Sequence, residues 1–164
     1  CLPMDVKETF FFDRRFEKGL SWYDYHFQNC QDSKSQITIE VGPSYFHSEE
    51  APGRIRDVLG QIPLVVIYRN PVERSFSHFA HLQRLGLTSL TLRKSVEEFP
   101  EILTASRYAE QLERWIHYFG KANLKILRLD TLKESTAQFA NNLAQALNIP
   151  QTSVPGELKK PVTR

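Results

Sequence analysis

The chain of 164 residues has few cysteines, no long apolar run and little excess of one charge. Two cysteines are too few for a disulfide scaffold or a Cys-based zinc site, and both read as free thiols. No apolar stretch approaches the roughly 18–20 residues that cross a bilayer, so no transmembrane segment is expected. No Asn-x-Ser/Thr acceptor with a permitted middle residue occurs, which gives no pointer to a glycosylated secretory protein. The formal net charge of +2 lacks the dense basic face of a nucleic-acid binder. There is no internal repeat and no low-complexity tract. The chain opens on Cys1-Leu2-Pro3 without an initiator methionine or signal peptide and closes on Lys159-Lys160-Pro161-Val162-Thr163-Arg164, so either end is expected to be a cut.

What is present suits one globular domain over residues 1–164, since 41% of residues are hydrophobic and 12% aromatic. Leu64-Val65-Val66-Ile67-Tyr68 is a continuous apolar run, as expected of a strand buried on both faces. Ile37–Val41, ended by Gly42-Pro43, and Leu124–Leu129 are further strand candidates, and Phe10-Phe11-Phe12 is a short fourth. Helical patterns lie between them. Ile55, Val58 and Leu59 precede Gly60, a C-terminal stop. Residues 72–84 carry Phe76, Phe79, Ala80 and Gln83 at helical spacing. Tyr108, Leu112, Trp115, Ile116 and Phe119 form an amphipathic stripe. Thr131-Leu132-Lys133-Glu134 reads as a capping box opening a helix with Phe139, Leu143 and Leu147 on one face, ended at Asn148-Ile149-Pro150. Residues 86–103 read as a loop with a short helix. Strands alternating with helices imply an α/β fold with a mostly parallel sheet.

Tyr68-Arg69-Asn70-Pro71-Val72-Glu73-Arg74-Ser75-Phe76-Ser77 is the most informative stretch. A strand ends at Arg69, and Pro71 stands at the first helical position that proline favours. Open α/β sheets bind ligands at the carboxyl ends of their strands, and helix N-termini attract anions. Arg69 and Ser77, eight residues apart, are therefore candidates for one anion site. The bland alternative is that Arg69 pairs with a carboxylate and the serines are solvated. Glu8 precedes three aromatic residues, where desolvation would lift its pKa toward that of a general base; a surface glutamate beside a core segment is the alternative. Glu40-Val41-Gly42-Pro43-Ser44-Tyr45-Phe46 reads as turn chemistry. His78 and His81, at i and i+3, have no third partner that would make them a metal site, and no metal is expected.

These stretches share an order: Lys7-Glu8-x-x-Phe11-Phe12, Gly19-Leu20-x-Trp22-Tyr23, Glu40-x-x-Pro43-x-Tyr45-Phe46, Ala51-Pro52-x-Arg54-Ile55, Arg69-x-Pro71-x-x-Arg74-x-x-Ser77, and Tyr108-x-x-x-Leu112-x-x-Trp115-x-x-Tyr118-Phe119. In that order they resemble the PAPS-dependent sulfotransferases, nearest to the heparan-sulfate-type enzymes and their bacterial relatives. The resemblance implies a P-loop-NTPase-like three-layer sandwich with a mostly parallel central sheet, incomplete at the N-terminus. It implies transfer of a sulfuryl group from 3′-phosphoadenosine 5′-phosphosulfate (PAPS) to an acceptor hydroxyl or amine on a glycan, lipid or small molecule, with PAP as product. By resemblance Glu8 is the catalytic base, Arg69 and Ser77 hold the 3′-phosphate, Tyr108 lies near the nucleotide, and Arg164, with Lys159 and Lys160, belongs to a late loop over the cofactor.

The departures are as specific. The family's Gly-rich 5′-phosphosulfate loop, with its lysine, has no counterpart here, so a fragment of a longer enzyme is expected. Val41 replaces a family lysine, and Phe10 replaces a histidine two residues past the base. These losses keep open a different class, a non-catalytic or degenerate nucleotide- or phosphate-binding module. A bacterial cytoplasmic location is expected in preference to the Golgi membrane.

Overall fold

The computed structural model describes residues 1–31 and 37–150. Arg164, Lys159 and Lys160 lie outside the described residues. In chain order the elements are α1 (Phe11–Arg14), a 3-10 turn (Phe16–Lys18), α2 (Leu20–Tyr25), α3 (Gln28–Gln31), a second 3-10 turn (Pro43–His47), α4 (Ala51–Leu59) and β1 (Leu64–Tyr68). They continue with α5 (Pro71–Arg84), α6 (Leu92–Glu98), α7 (Glu101–Thr104), α8 (Tyr108–Phe119), β2 (Leu124–Arg128), α9 (Leu129–Glu134) and α10 (Thr136–Leu147). The residues fall into two compact units, one of Cys1–Ile62 with Gln111–Phe119, the other of Pro63–Glu110 with Gly120–Arg164.

The first unit is built on aromatic packing. Phe11 and Phe12 are fully buried. The Phe11 ring stacks on Tyr23 at 4.7 Å between centroids and meets Phe12 edge-on at 5.0 Å. These residues are not the strand expected at Phe10–Phe12. A strand would send Phe11 and Phe12 to opposite faces, whereas both are buried here, and the one-turn helix α1 puts both into the same core. Arg54 on α4 donates to the Phe12 and Asp13 carbonyls at 3.0 and 3.3 Å. The Trp115 indole on α8 donates to the Phe46 carbonyl at 3.2 Å. Residues 37–41 do not form a strand either. Cys1 donates to the Ile37 carbonyl at 2.7 Å and accepts from the Ile39 N–H at 2.8 Å, and no ladder runs along these residues.

The thiols expected to be free are joined: Cys1 and Cys30 form a disulfide across a sequence separation of 29. The bond ties the start of the chain to the end of α3. A tally of two cysteines leaves that choice open, because only the fold decides whether two Cβ atoms meet.

The second unit carries the sheet. β1 and β2 run parallel with Leu64 opposite Leu124 and Tyr68 opposite Arg128. The crossover between them contains α5 to α8, as a parallel pair requires. β1 is not buried on both faces: Ile67 is 49% exposed, because among the described residues the sheet has only these two strands. On α5 the buried residues are Ser75 and Leu82, whereas Phe76, expected inside, is 55% exposed. The capping box at Thr131 is also displaced. Thr131 lies within α9, and Ser135 caps α10 by accepting from the Gln138 N–H at 3.2 Å. Gly60 ends α4 at φ 72°, and Asn148 ends α10 at φ 53°. Among the described residues no helix is long and apolar enough to cross a membrane.

Replacing Cys30 with serine opens a loop of about 30 residues. It should lower unfolding stability by about 3 kcal/mol, read as a fall in thermal midpoint that reductant reproduces in the parent protein and not in the variant.

Candidate functional site

The predicted residues divide between the units. Glu8 belongs to the first; Arg69, Ser77 and Tyr108 belong to the second.

Glu8 is half-buried, immediately before the fully buried Thr9. Among the described residues it has no hydrogen-bond or ion-pair partner, so its carboxylate keeps its lone pairs for a proton or a ligand. The segment that carries it is fixed by a second carboxylate. Glu40 accepts from the Tyr45 hydroxyl at 2.7 Å, from the Tyr23 hydroxyl at 2.8 Å and from the Thr9 hydroxyl at short range. The Phe11 N–H in turn donates to the Tyr45 hydroxyl oxygen at 2.9 Å and to Thr9 Oγ1 at 3.2 Å. Burial, then the Glu40 charge, push the Tyr23 hydroxyl far above its ordinary pKa. Burial pushes Tyr45 up as well, against a lowering hydrogen bond from Thr9 and with a raising one from Glu40. Both phenols therefore remain protonated donors.

This arrangement makes more of the Glu40–Phe46 stretch than turn chemistry. Glu40 is the hub, and Gly42 leaves room for the ring that reaches it. A Cβ on Gly42 would overlap the Tyr45 ring edge at Cδ2 and Cε2. The roles of Thr9 and Tyr23 carried no local signal, because they meet Glu40 only across sequence separations of 31 and 17.

In the second unit β1 ends one residue before Arg69, and α5 begins at Pro71 as expected. Asn70 caps that helix, its side-chain oxygen accepting from the Val72 and Glu73 N–H groups at 2.9 and 3.3 Å. The helix N–H groups expected to attract an anion are thus partly used by Asn70. Asparagine before Pro-x-Glu was the signal for this cap. Arg69 donates through Nη2 to the Glu73 carbonyl at 2.7 Å and lies 4.0 Å from the Glu73 carboxylate. Its Nε is buried without a partner. The bland alternative is thus half realised: Arg69 does approach a carboxylate, yet one of its donors is unspent.

Ser77 is exposed, on the second turn of α5. Tyr108 meets the ring of Tyr68, the last residue of β1, edge-on at 6.0 Å. Arg74 anchors the start of α7, donating to the Ile102 carbonyl at 2.6 Å and the Glu101 carbonyl at 3.0 Å. Burial lowers the Arg74 pKa, against a raising contribution from Tyr108 and with a smaller lowering one from the positive charge of Arg69. His81 approaches the Arg84 guanidinium through Nδ1 at 3.0 Å, and burial, followed by the charge of Arg74, lowers the pKa of His78.

A family model described as "Sulfotransferase domain" matches residues 5–164. This chain belongs to the sulfotransferase family. The chain is 38% identical over 120 residues to human heparan sulfate glucosamine 3-O-sulfotransferase 6, covering 68% of this chain and 34% of that protein. It is 28% identical over 163 residues to mouse bifunctional heparan sulfate N-deacetylase/N-sulfotransferase 4, covering 90% of this chain and 19% of that protein. The sulfotransferase chain thus spans about a third or less of the length of these curated relatives. A crystal structure of a sulfotransferase from Alicyclobacillus acidocaldarius superposes with a TM-score of 0.75 at 21% identity, covering 98% of this chain and 76% of that one. That superposition shows that this chain has an α/β fold of the same kind.

Substituting Gly42 by alanine should displace the Tyr45 ring from Glu40. The expected cost is about 1–3 kcal/mol in chemical denaturation, while alanine at Gly53, whose added Cβ would meet the Tyr118 ring only at ordinary van der Waals distance, should cost less.

Proposed function

We propose that this chain is the part of a PAPS-dependent sulfotransferase that holds the 3′-phosphate end of the donor and the acceptor base. The carrying observation is Arg69: a guanidinium just past the carboxyl end of a parallel strand, whose Nε is buried without a partner among the described residues. A phosphate oxygen would accept from that Nε in a bond in which both partners are charged, and Arg69 can present two N–H groups to one anion. Ser77 offers an exposed hydroxyl on the following helix, and Tyr108 an aromatic wall beside Tyr68. PAPS, when bound, supplies the sulfuryl group and departs as PAP.

Glu8 takes the proton of the acceptor hydroxyl or amine as the acceptor atom forms its bond to sulfur and the bond from sulfur to the phosphate oxygen breaks. The chain's contribution is to hold the reacting groups and offset charge, as in phosphoryl transfer. The relatives' names concern heparan sulfate, and they support a glycan acceptor. The non-catalytic alternative is not favoured, since the family model and the heparan sulfate sulfotransferase relatives support sulfuryl transfer.

For location, the Cys1–Cys30 bond supports an oxidising compartment in place of the cytoplasm, where thiols are kept reduced. Thiol labelling of the protein as isolated from its native compartment tests this, and two free thiols would return it to the cytoplasm.

Isothermal titration should show 3′,5′-ADP binding at least tenfold tighter than 5′-AMP, with the preference lost in Arg69→Ala; equal affinities would remove the donor assignment. Glu8→Gln should abolish transfer by the longest natural form of the protein and leave 3′,5′-ADP affinity within twofold. Loss of both together would make Glu8 a structural residue.

A further inference from the structure

Phe10 is the conformational outlier of the first unit. It is a bulky residue in the left-handed region, at φ 54° and ψ 24°, and such a conformation persists only where its surroundings enforce it. Its neighbours on both sides are held. Thr9 is fully buried, and the Phe11 N–H is bonded to the Tyr45 and Thr9 oxygens. Phe10 itself is turned outward. Its ring lies beneath the Arg14 guanidinium at 5.0 Å and that of Arg15 at 5.8 Å, and Arg15 also lies 5.6 Å from the Trp22 ring. The direction of the bonds decides how this backbone is held. An ionised carboxylate only accepts, so the Thr9 and Tyr45 hydroxyls aim their protons at Glu40. That leaves their lone pairs for the Phe11 N–H. Were the hub a donor, those protons would turn toward that N–H and oppose it.

We infer that Glu40 is a positioning residue for Glu8: by fixing the polarity of the bonds around Thr9 and the Phe11 N–H, it sets the backbone from which the base projects. Glu8 makes no hydrogen bond or ion pair of its own among the described residues. The direction of its carboxylate is therefore set by its backbone and not by a side-chain partner. The adjacent fixed point is Thr9, whose hydroxyl is tied to Glu40 across 31 positions. Tyr23 holds the other Glu40 oxygen at 2.8 Å, which keeps the carboxylate from rotating away from Thr9. A misplacement of about 1 Å can cost about a hundredfold in rate, so a base without bonds of its own depends on such a support. The role of Glu40 in transfer rests on the reading of Glu8 as the base; the ordering of the Phe11 N–H by Glu40 does not.

The test uses the longest natural form of the protein. It reads sulfuryl transfer from PAPS to a heparan sulfate hexasaccharide, affinity for 3′,5′-ADP by titration, and hydrogen exchange at the Phe11 amide. Glu40→Ala should lower kcat by about tenfold or more. KM for the hexasaccharide and 3′,5′-ADP affinity should stay within about twofold, and the Phe11 amide should exchange about tenfold faster. Glu40→Gln, which keeps one accepting oxygen, should fall between the parent and Glu40→Ala. Thr9→Val keeps the shape and removes the hydroxyl, and it should repeat the loss of kcat; Thr9→Ser restores the hydroxyl and should recover most of it. This pair decides the matter even where Glu40→Ala fails to fold. The acid limb of the kcat/KM profile should keep its midpoint in Thr9→Val while the plateau falls, because the titrating base is the same. Parent kcat in both Thr9→Val and Glu40→Gln, or a loss of 3′,5′-ADP affinity in step with kcat, would overturn the positioning role. Loss of transfer in Glu8→Gln with none in Thr9→Val would overturn that role alone, whereas full transfer by Glu8→Gln would overturn the base reading and the positioning role with it.

Discussion

Glu40 presents two carboxylate oxygens to hydroxyl donors from Thr9, Tyr23 and Tyr45 and has no cation among its described partners. A carboxylate taken partly out of water must be hydrogen-bonded or be strongly penalised, and this demand organises the surroundings. The bonds draw together segments separated by 31, 17 and 5 positions. They also hand the first N–H of α1 to the Tyr45 and Thr9 oxygens, since Phe10, at the N-cap position, has no capping side chain. Once Phe11 and Phe12 are pinned inward, Phe10 is forced outward and Glu8 is presented one residue before the clamp. The placing of a candidate base, an outlying ring and the arginines upon it is tied to one half-buried carboxylate.

The second unit follows a different constraint. A parallel strand pair delivers its chain ends to one edge, and β1 hands over to α5 within two residues. Asn70 uses the first free N–H groups of that helix, so the helix end is not bare. Arg74 is itself fixed by the carbonyls of Glu101 and Ile102 on α7, at a cost in desolvation.

Much was legible where one element carries its own signal. The apolar run of β1, the stripe of α8, Pro71 at the start of α5 and Gly60 at the end of α4 all rest on local periodicity or backbone preference, and each stands where it was read. The order of short motifs sufficed to place the chain in its family. The failures share a cause. Phe10–Phe12 and Ile37–Val41 have strand-like composition, but a strand needs a partner, and composition does not supply one. The face of α5 was misjudged because Ser75 is buried by its bond to Ser106, a contact 31 residues away, whereas Phe76 looks outward.

The sequence alone therefore fixed chemistry of the residue types and their order: an arginine after a strand, a glutamate before aromatics, a serine eight positions on. Those depend on neighbours within a few residues, where sterics and helix periodicity act. Only the tertiary structure decided that Cys1 meets Cys30, that Glu40 is a hub, and that Arg14 and Arg15 lie over Phe10 and Trp22. These contacts, apart from the near neighbours of Phe10, close over long stretches of chain, and their strength comes from burial and desolvation, which exist only after folding.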